Sequence, residues 1–366
     1  MSDPADDLEA LRARIRRLDE SLLETVAQRI ALARRTGDLK RHEGLPIVDY
    51  AQEKAVLDRA RSLASARGLD PRVAEDLFQR LIRASLTAQD EDSVRHAGIG
   101  QGRSAVIAGG SGRMGRWMDR FLQAQGFATR VSDPTASPED NGAAQALLPQ
   151  ADLVVCAAPP AAIARLYVAW AASPPRGVVV DIASIKTPLL EPIAALQAAG
   201  ARVASMHPMF GPATVLLRDC DVLLCDTGDA AALREVERLF EPTMARLVRL
   251  PIAEHDRVMA DLLSLAHAAA IAFALALPSS AHPVGSTTFQ ALEALAAAVV
   301  RESPEVYYEI QAKNPHSAAA VLRLAQALDR LMAAAAGGPD GFRALFEEGR
   351  RRTPGRSEND SDRNSG

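Results

Sequence analysis

Ser104 to Gly115, SAVIAGGSGRMG, is the stretch that leaves this chain the fewest ways to fold. Apolar residues Ala105 to Ala108 run into glycines at 109, 110, 112 and 115, and helix formers continue from Arg116 to Gln125. The spacing Gly110-x-Gly112-x-x-Gly115, after a strand and before a helix, is that of a dinucleotide-binding turn. Gly110 is expected to permit the tight turn, Gly112 to let a pyrophosphate approach the backbone, and Gly115 to let the helix pack on its strand. The phosphates would then meet the helix N-terminus at Gly112, Arg113 and Met114, where backbone N–H groups and the helix dipole favour an anion. A second apolar run, Phe127 to Ser132, ends at Asp133, 18 residues past Gly115. That is close to the ~20-residue offset of an acid that binds an adenosine ribose. A carboxylate there repels a 2′-phosphate, so the expected cofactor is NAD rather than NADP.

Further apolar runs alternate with helical stretches: 152–158, ended by Pro159-Pro160, then 177–184, 201–208, 221–226 and 246–250. This alternation predicts a doubly wound α/β domain of Rossmann type, with ligands at the carboxyl edge of the sheet. Two strand ends there carry reactive groups: Ser184 in VDIASIK and His207 in MHPMFGP. Prolines and a glycine beside His207 argue against simple core packing.

The chain before this domain reads as helical. From Asp6 to Lys40 there is no proline, and Leu8, Leu11, Ile15, Leu18, Leu22, Val26 and Ile30 recur in steps of three and four. That is one amphipathic helix of about 50 Å, too long to bury its stripe without partner helices. Two follow, over 49–66 and 71–89, the latter opened by Asp70-Pro71 as N-cap and first turn. Asp49 and Glu53 lie one turn apart on the second helix, as do Ser85 and Gln89 on the third. Polar residues 90–103, with Gly98, Gly100 and Gly102, read as an interdomain linker.

LEALRARIRRLDESLL and LFQRLIRASLTAQ, within residues 6–92, resemble the AroQ-type chorismate mutases. The resemblance implies a helical dimer that gathers arginines and a lysine around a dicarboxylate, one arginine crossing from the partner chain. It implies that Arg12, Arg29 and Lys40 bind carboxylates and that Lys40 and Gln89 serve the ether oxygen. Asp49 and Glu53 would hold the ring hydroxyl, and Ser85 would support a carboxylate. Such a site needs no nucleophile, because the rearrangement is pericyclic and gains from conformer selection and charge stabilisation. Gln52 stands where that family usually has an arginine.

VDIASIK, HPMFGP and AEHD, within residues 103–350, resemble prephenate dehydrogenase, so the chain looks like a fusion of the two enzymes. The resemblance implies that NAD takes hydride from the carbon bearing prephenate's ring hydroxyl while the ring carboxylate leaves as CO2. His207 would accept a hydrogen bond from that hydroxyl, with Ser184 as a second contact, and no metal is required. Beyond Pro251 the composition becomes alanine-rich and helical, over 254–277, 289–301, 304–336 and 340–351. The likeness makes this a dimerisation domain in which His267 faces the substrate and His255 lies near the domain junction. The family's carboxylate-binding arginine falls at Ala298 here, and Arg301, one turn on, is the candidate replacement.

The expected organisation is therefore multidomain: an all-α mutase domain (1–92), a linker (93–103), a Rossmann-type α/β domain (104–251), an all-α dimerisation domain (252–350) and a disordered tail (351–366). A net charge of −4 gives no electrostatic case for nucleic acid. No apolar run approaches the ~20 residues that span a membrane. The start, MSDPADDLEALR, lacks an apolar signal core and suggests the cytoplasm. Cys156, Cys220 and Cys225 read as buried thiols. The expected partners are chorismate, prephenate and a second copy of the chain. Two alternatives stay open: the same chemistry on the 4-amino analogues, giving 4-aminophenylpyruvate, or a catalytically weakened NAD-binding regulatory protein.

Overall fold

The computed structural model describes residues 8–278 and 284–353. The first residues of the expected mutase domain and nearly all of the expected tail lie outside them. The chain divides into two compact units, Met1–Ala183 with Leu189–Ile252, and Ser184–Pro188 with Ala253–Gly366.

The first unit opens with three helices, α1 (Leu8–His42), α2 (Tyr50–Ala66) and α3 (Pro71–His96). Asp49 caps α2 by accepting from the Gln52 N–H at 2.9 Å, and Asp70 caps α3 at the Arg72 N–H. The C-terminal half of α1 packs on α3, whereas Ile15, Leu18 and Leu22 in its N-terminal half stay exposed. The expected linker needs correction. Residues 90–96 continue α3, and Asp90, Asp92, Ser93 and Val94 are buried.

That extension docks α3 on the nucleotide domain. Asp90 accepts from the Met244 N–H at 2.9 Å and from the Leu217 backbone. Burial pushes the Asp90 carboxyl up to about 6 against these two hydrogen bonds. An unfolded aspartate titrates near 3.9. The raised value therefore means that Asp90's contribution is full below about pH 4 and is lost as pH rises through about 6. A shift of about two units corresponds to roughly 3 kcal/mol. Wild type should thus lose more stability than Asp90→Asn over that window, read as the difference in thermal midpoint. Parallel pH profiles would contradict the assignment.

The α/β part has seven strands: β1 (Ser104–Ala108), β2 (Ala128–Ser132), β3 (Leu153–Cys156), β4 (Val178–Asp181), β5 (Arg202–Pro208), β6 (Asp221–Asp226) and β7 (Arg246–Pro251). They lie in the order β2-β1-β3-β4-β5-β6-β7. All neighbours are parallel except β5 and β6. No helix joins those two strands, so the loop 209–220 returns the chain from the end it left. Helices α4 (Arg113–Ala124) and α8 (Ala230–Phe240) bring Trp117, Phe121 and Phe240 to one face. Helices α5 (Pro138–Leu147), α6 (Pro160–Trp170) and α7 (Leu190–Ala198) bring Ala144, Ile163, Tyr167 and Leu196 to the other. The doubly wound expectation is met, and the strands read from apolar runs 152–158 and 177–184 are buried on both faces, as parallel central strands should be. Cys156 and Cys225 are buried and Cys220 half-buried, all as free thiols.

The second unit is helical. Helix α9 (Ile252–Met259) passes through a π-helical turn, Ala260–Leu265, into α10 (Ala266–Ala276). Then come α11 (Thr287–Val300), α12 (Pro304–Lys313), α13 (Ser317–Ala336) and α14 (Pro339–Arg352). The single helix expected over 304–336 is broken at Asn314-Pro315-His316, where proline disfavours helix in the preceding residue. The expectation about apolar runs is also corrected. Helix Ile252–Ala276 is long and apolar enough to cross a membrane by length and composition, an 18-residue stretch of it reaching a mean hydropathy of 1.9. Glu254, His255, Asp256, Arg257, Asp261 and His267 interrupt the run in sequence and hid its length.

Two candidate active sites

The first site lies among α1, α2 and α3. Arg29, Lys40, Asp49, Glu53, Ser85 and Gln89 all line one cavity of about 270 Å3, together with Gln52. Helical spacing explains the convergence: Arg29 and Lys40 lie three turns apart on α1, and Ser85 and Gln89 one turn apart on α3. Arg29 Nη1 donates to the Ser85 hydroxyl at 2.6 Å and to the Leu81 carbonyl at 2.9 Å. Burial lowers the pKa of its guanidinium. Lys40 Nζ donates to the Ile47 carbonyl at 3.1 Å, and Gln89 Nε2 to the Ala33 carbonyl at 2.7 Å. A site made of these cations, an amide and two carboxylates can bind a dicarboxylate with a ring hydroxyl and stabilise negative charge between them.

Two features of this site escaped the sequence reading. Gly37, inside α1, is buried against Gln89, and a Cβ there would come within 2.8 Å of Gln89 Cγ. Glu53 is held from outside the helical segment by Arg218, whose Nη1 lies 2.9 Å from both carboxylate oxygens. Arg12 does not join this cavity. It is exposed on α1, 17 residues before Arg29 and so about 25 Å away along the helix, with Glu9 as its neighbour at 3.9 Å.

The second site begins at the glycine turn, beside the point where strand order reverses between β1 and β3. A cavity of about 730 Å3 is lined there by Gly109, Gly112, Asp133, Asn141, Pro159 and Trp170 among others. Gly112 is the N-cap of α4, so Arg113, Met114 and Gly115 form its first turn. One role is reassigned. The left-handed residue of the turn is Gly109, at φ 81°, whereas a Cβ on Gly110 would meet the Val131 side chain at 2.6 Å. Gly115 does what its spacing implied, since a Cβ would fall 2.3 Å from the Gly109 carbonyl.

Asp133 sits at the end of β2. Its Oδ2 accepts from the Ser111 N–H at 3.2 Å and its Oδ1 from the Thr135 N–H and hydroxyl at 2.9 and 2.7 Å. Burial alone would raise its pKa, yet these hydrogen bonds outweigh burial and hold the carboxyl below its ordinary value. It is therefore an anion on the cavity wall, suited to a ribose diol and unsuited to a phosphate. His207 is buried near the C-terminal end of β5, in register with Leu223 of β6.

Within the second unit, Ser184 lies in the segment 184–188, which Asp256 clamps. Asp256 accepts from the Lys186 and Thr187 N–H groups at 2.8 Å each and from His255 Nδ1 at 2.7 Å. Its backbone carbonyl accepts from Asn314 at 2.7 Å. Burial would raise Asp256, but His255, Thr187 and the backbone donors bring it down to about 2. The AEHD motif thus acts through its aspartate, with His255 as support. His267 packs edge-on against Tyr307, ring centroids 4.6 Å apart, and burial lowers its pKa, favouring the neutral ring. Ala298 and Arg301 are both exposed, Arg301 as the C-cap of α11, and neither lines the two cavities described above.

Comparison with known proteins agrees with this two-site layout. The chorismate mutase type II family matches residues 11–90, and the prephenate dehydrogenase nucleotide-binding domain matches residues 126–249. The T-protein of Enterobacter agglomerans is 32% identical over 271 residues, 74% of this chain and 71% of that protein. The 4-amino-4-deoxyprephenate dehydrogenase of Streptomyces pristinaespiralis is 32% identical over 268 residues, 66% of this chain and 88% of that one. In fold, the crystal structure of prephenate dehydrogenase from A. aeolicus in complex with hydroxyphenyl propionate and NAD+ is similar, with TM-score 0.54 and 18% identity over 69% of this chain and 96% of that one. A type II chorismate mutase joined in one chain to a prephenate dehydrogenase places this protein in the T-protein family.

Proposed function

We infer that the chain converts chorismate to prephenate and then oxidatively decarboxylates prephenate to 4-hydroxyphenylpyruvate. The convergence of Arg29, Lys40, Ser85, Gln89 and the two α2 carboxylates on one cavity carries the first step. Arg29 and Lys40 bind the substrate carboxylates, Lys40 and Gln89 meet the ether oxygen as it gains charge, and Asp49 and Glu53 hold the ring hydroxyl. Asp49 also caps α2, so the same carboxylate fixes the wall of the site. Arg12 serves the cavity of a second copy, which explains its distance from its own.

NAD, bound against Gly112 and Asp133, supplies the hydride acceptor for the second step. His207 accepts the proton of the ring hydroxyl as its carbon becomes carbonyl-like, which suits a neutral imidazole. Ser184 gives the hydroxyl a second contact, and Asp256 fixes the backbone that carries Ser184. His267, neutral, contacts the substrate as an uncharged wall, and Arg301 is the candidate for a substrate carboxylate. The exposed apolar residues of α1 and of the helix Ile252–Ala276 support a homodimer, each covering its face with the partner's copy.

The relative that acts on a 4-amino substrate makes the ring substituent the point to test. NADH formation with prephenate and with 4-amino-4-deoxyprephenate is the comparison. The proposed reading requires a higher kcat/KM with prephenate; a higher value with the amino compound would replace it by the 4-amino pathway.

A further inference from the structure

Arg218 belongs to neither site's sequence motif, yet it touches the mutase cavity through Glu53. It lies 11 residues after His207, on the loop between β5 and β6. That loop is fixed at three points. Trp117 Nε1 donates to the Thr214 carbonyl at 2.9 Å, Asp90 accepts from the Leu217 N–H, and Asp219 turns the chain at φ 63°. Arg218 then stacks on Tyr50, its guanidinium carbon 4.8 Å from the ring centroid, and Nη1 binds both oxygens of Glu53. Both side chains are largely buried, at 16% and 21% exposed. Such a pair is weakly screened, and removing one member leaves the other charge uncompensated. Burial alone would lower the pKa of Arg218, but the Glu53 hydrogen bond and charge outweigh it and raise it.

We propose that Arg218, supplied by the nucleotide-binding domain, is a positioning and specificity residue of the mutase site: it orients Glu53 and offsets its charge, so the cavity selects a neutral ring hydroxyl over a cationic ring amine. This rests on the mutase reading above. A carboxylate already paired with a guanidinium still accepts a hydrogen bond from a hydroxyl through its remaining lone pairs. Toward an ammonium group it is a weaker partner, because the adjacent arginine repels the incoming cation. The neighbouring position in the cavity, Gln52, is uncharged, and Glu53 is instead bonded to Arg218.

The test uses the full chain as wild type, Arg218→Ala, Arg218→Lys and Glu53→Gln, with chorismate and 4-amino-4-deoxychorismate as substrates. Circular dichroism on the same samples reports that each variant is folded. Arg218→Ala should lower kcat/KM for chorismate and raise the amino-to-hydroxy ratio of kcat/KM about tenfold. Arg218→Lys should restore most of the wild-type ratio. Glu53→Gln, which removes the charge and leaves Arg218, should move the ratio the opposite way. An unchanged ratio in Arg218→Ala overturns the proposal, as does an equal fall on both substrates without rescue by lysine, which is the signature of a merely structural contact. Wild type inactive on chorismate would instead defeat the mutase reading itself, and the proposal with it.

Discussion

His207→Asn should lower kcat for NADH formation from prephenate by about 10²–10⁴, the usual worth of a positioned proton acceptor. Asparagine has nearly the shape of the imidazole's near half but cannot take a proton, so substrate binding should change far less than kcat. His207 lies near the C-terminal end of β5, and the strand's backbone pairing to β4 and β6 does not depend on the identity of the side chain. Prephenate formation from chorismate should continue, since none of the residues lining the mutase cavity is on β5. A loss smaller than tenfold in NADH formation would remove His207 from the chemistry.

The second large effect is expected at Lys40. Its ammonium lines the mutase cavity and is held by the Ile47 carbonyl, which directs it without neutralising it. Removing a donor aimed at developing oxygen charge costs about 10²–10³ in kcat. Lys40→Ala should therefore lower prephenate formation by that factor while NADH formation from added prephenate persists. Measured together, Lys40→Ala and His207→Asn should divide the two activities. Loss of both activities in either variant would mean that one site, not two, does the work.

Much of this layout was legible because its signals are local. Apolar steps of three and four gave α1, the glycine spacing gave the turn into α4, and Asp133 lay where a ribose-binding acid should. The same locality explains the gaps. Asp90 and Asp92 are polar, which reads as linker, but Asp90's partners Met244 and Leu217 and Asp92's partner Arg34 are far away in sequence. Val94 lies two turns beyond Leu86 on one face of α3, and that apolar spacing was the available signal for a longer helix. Pro315 likewise marked the break between α12 and α13.

Arg218 carried no signal at all, since its partner Glu53 is 165 residues away. Asp256 was hidden for another reason. Its motif drew attention to the histidine, whereas the carboxylate has the structural task of holding two backbone N–H groups about 70 residues distant. The turn role expected of Gly110 falls to Gly109 because spacing fixes the fingerprint and leaves open which of two adjacent glycines takes the left-handed conformation. In each case a backbone group or a side chain from another element decided what the residue does.

The most direct test of two coupled enzymes in one chain is NADH production by the purified protein given NAD and chorismate alone. NADH should appear after a lag while prephenate accumulates, and 4-hydroxyphenylpyruvate should form in equal amount. Chorismate left unconsumed, or consumed without NADH while added prephenate also gives none, would contradict the account.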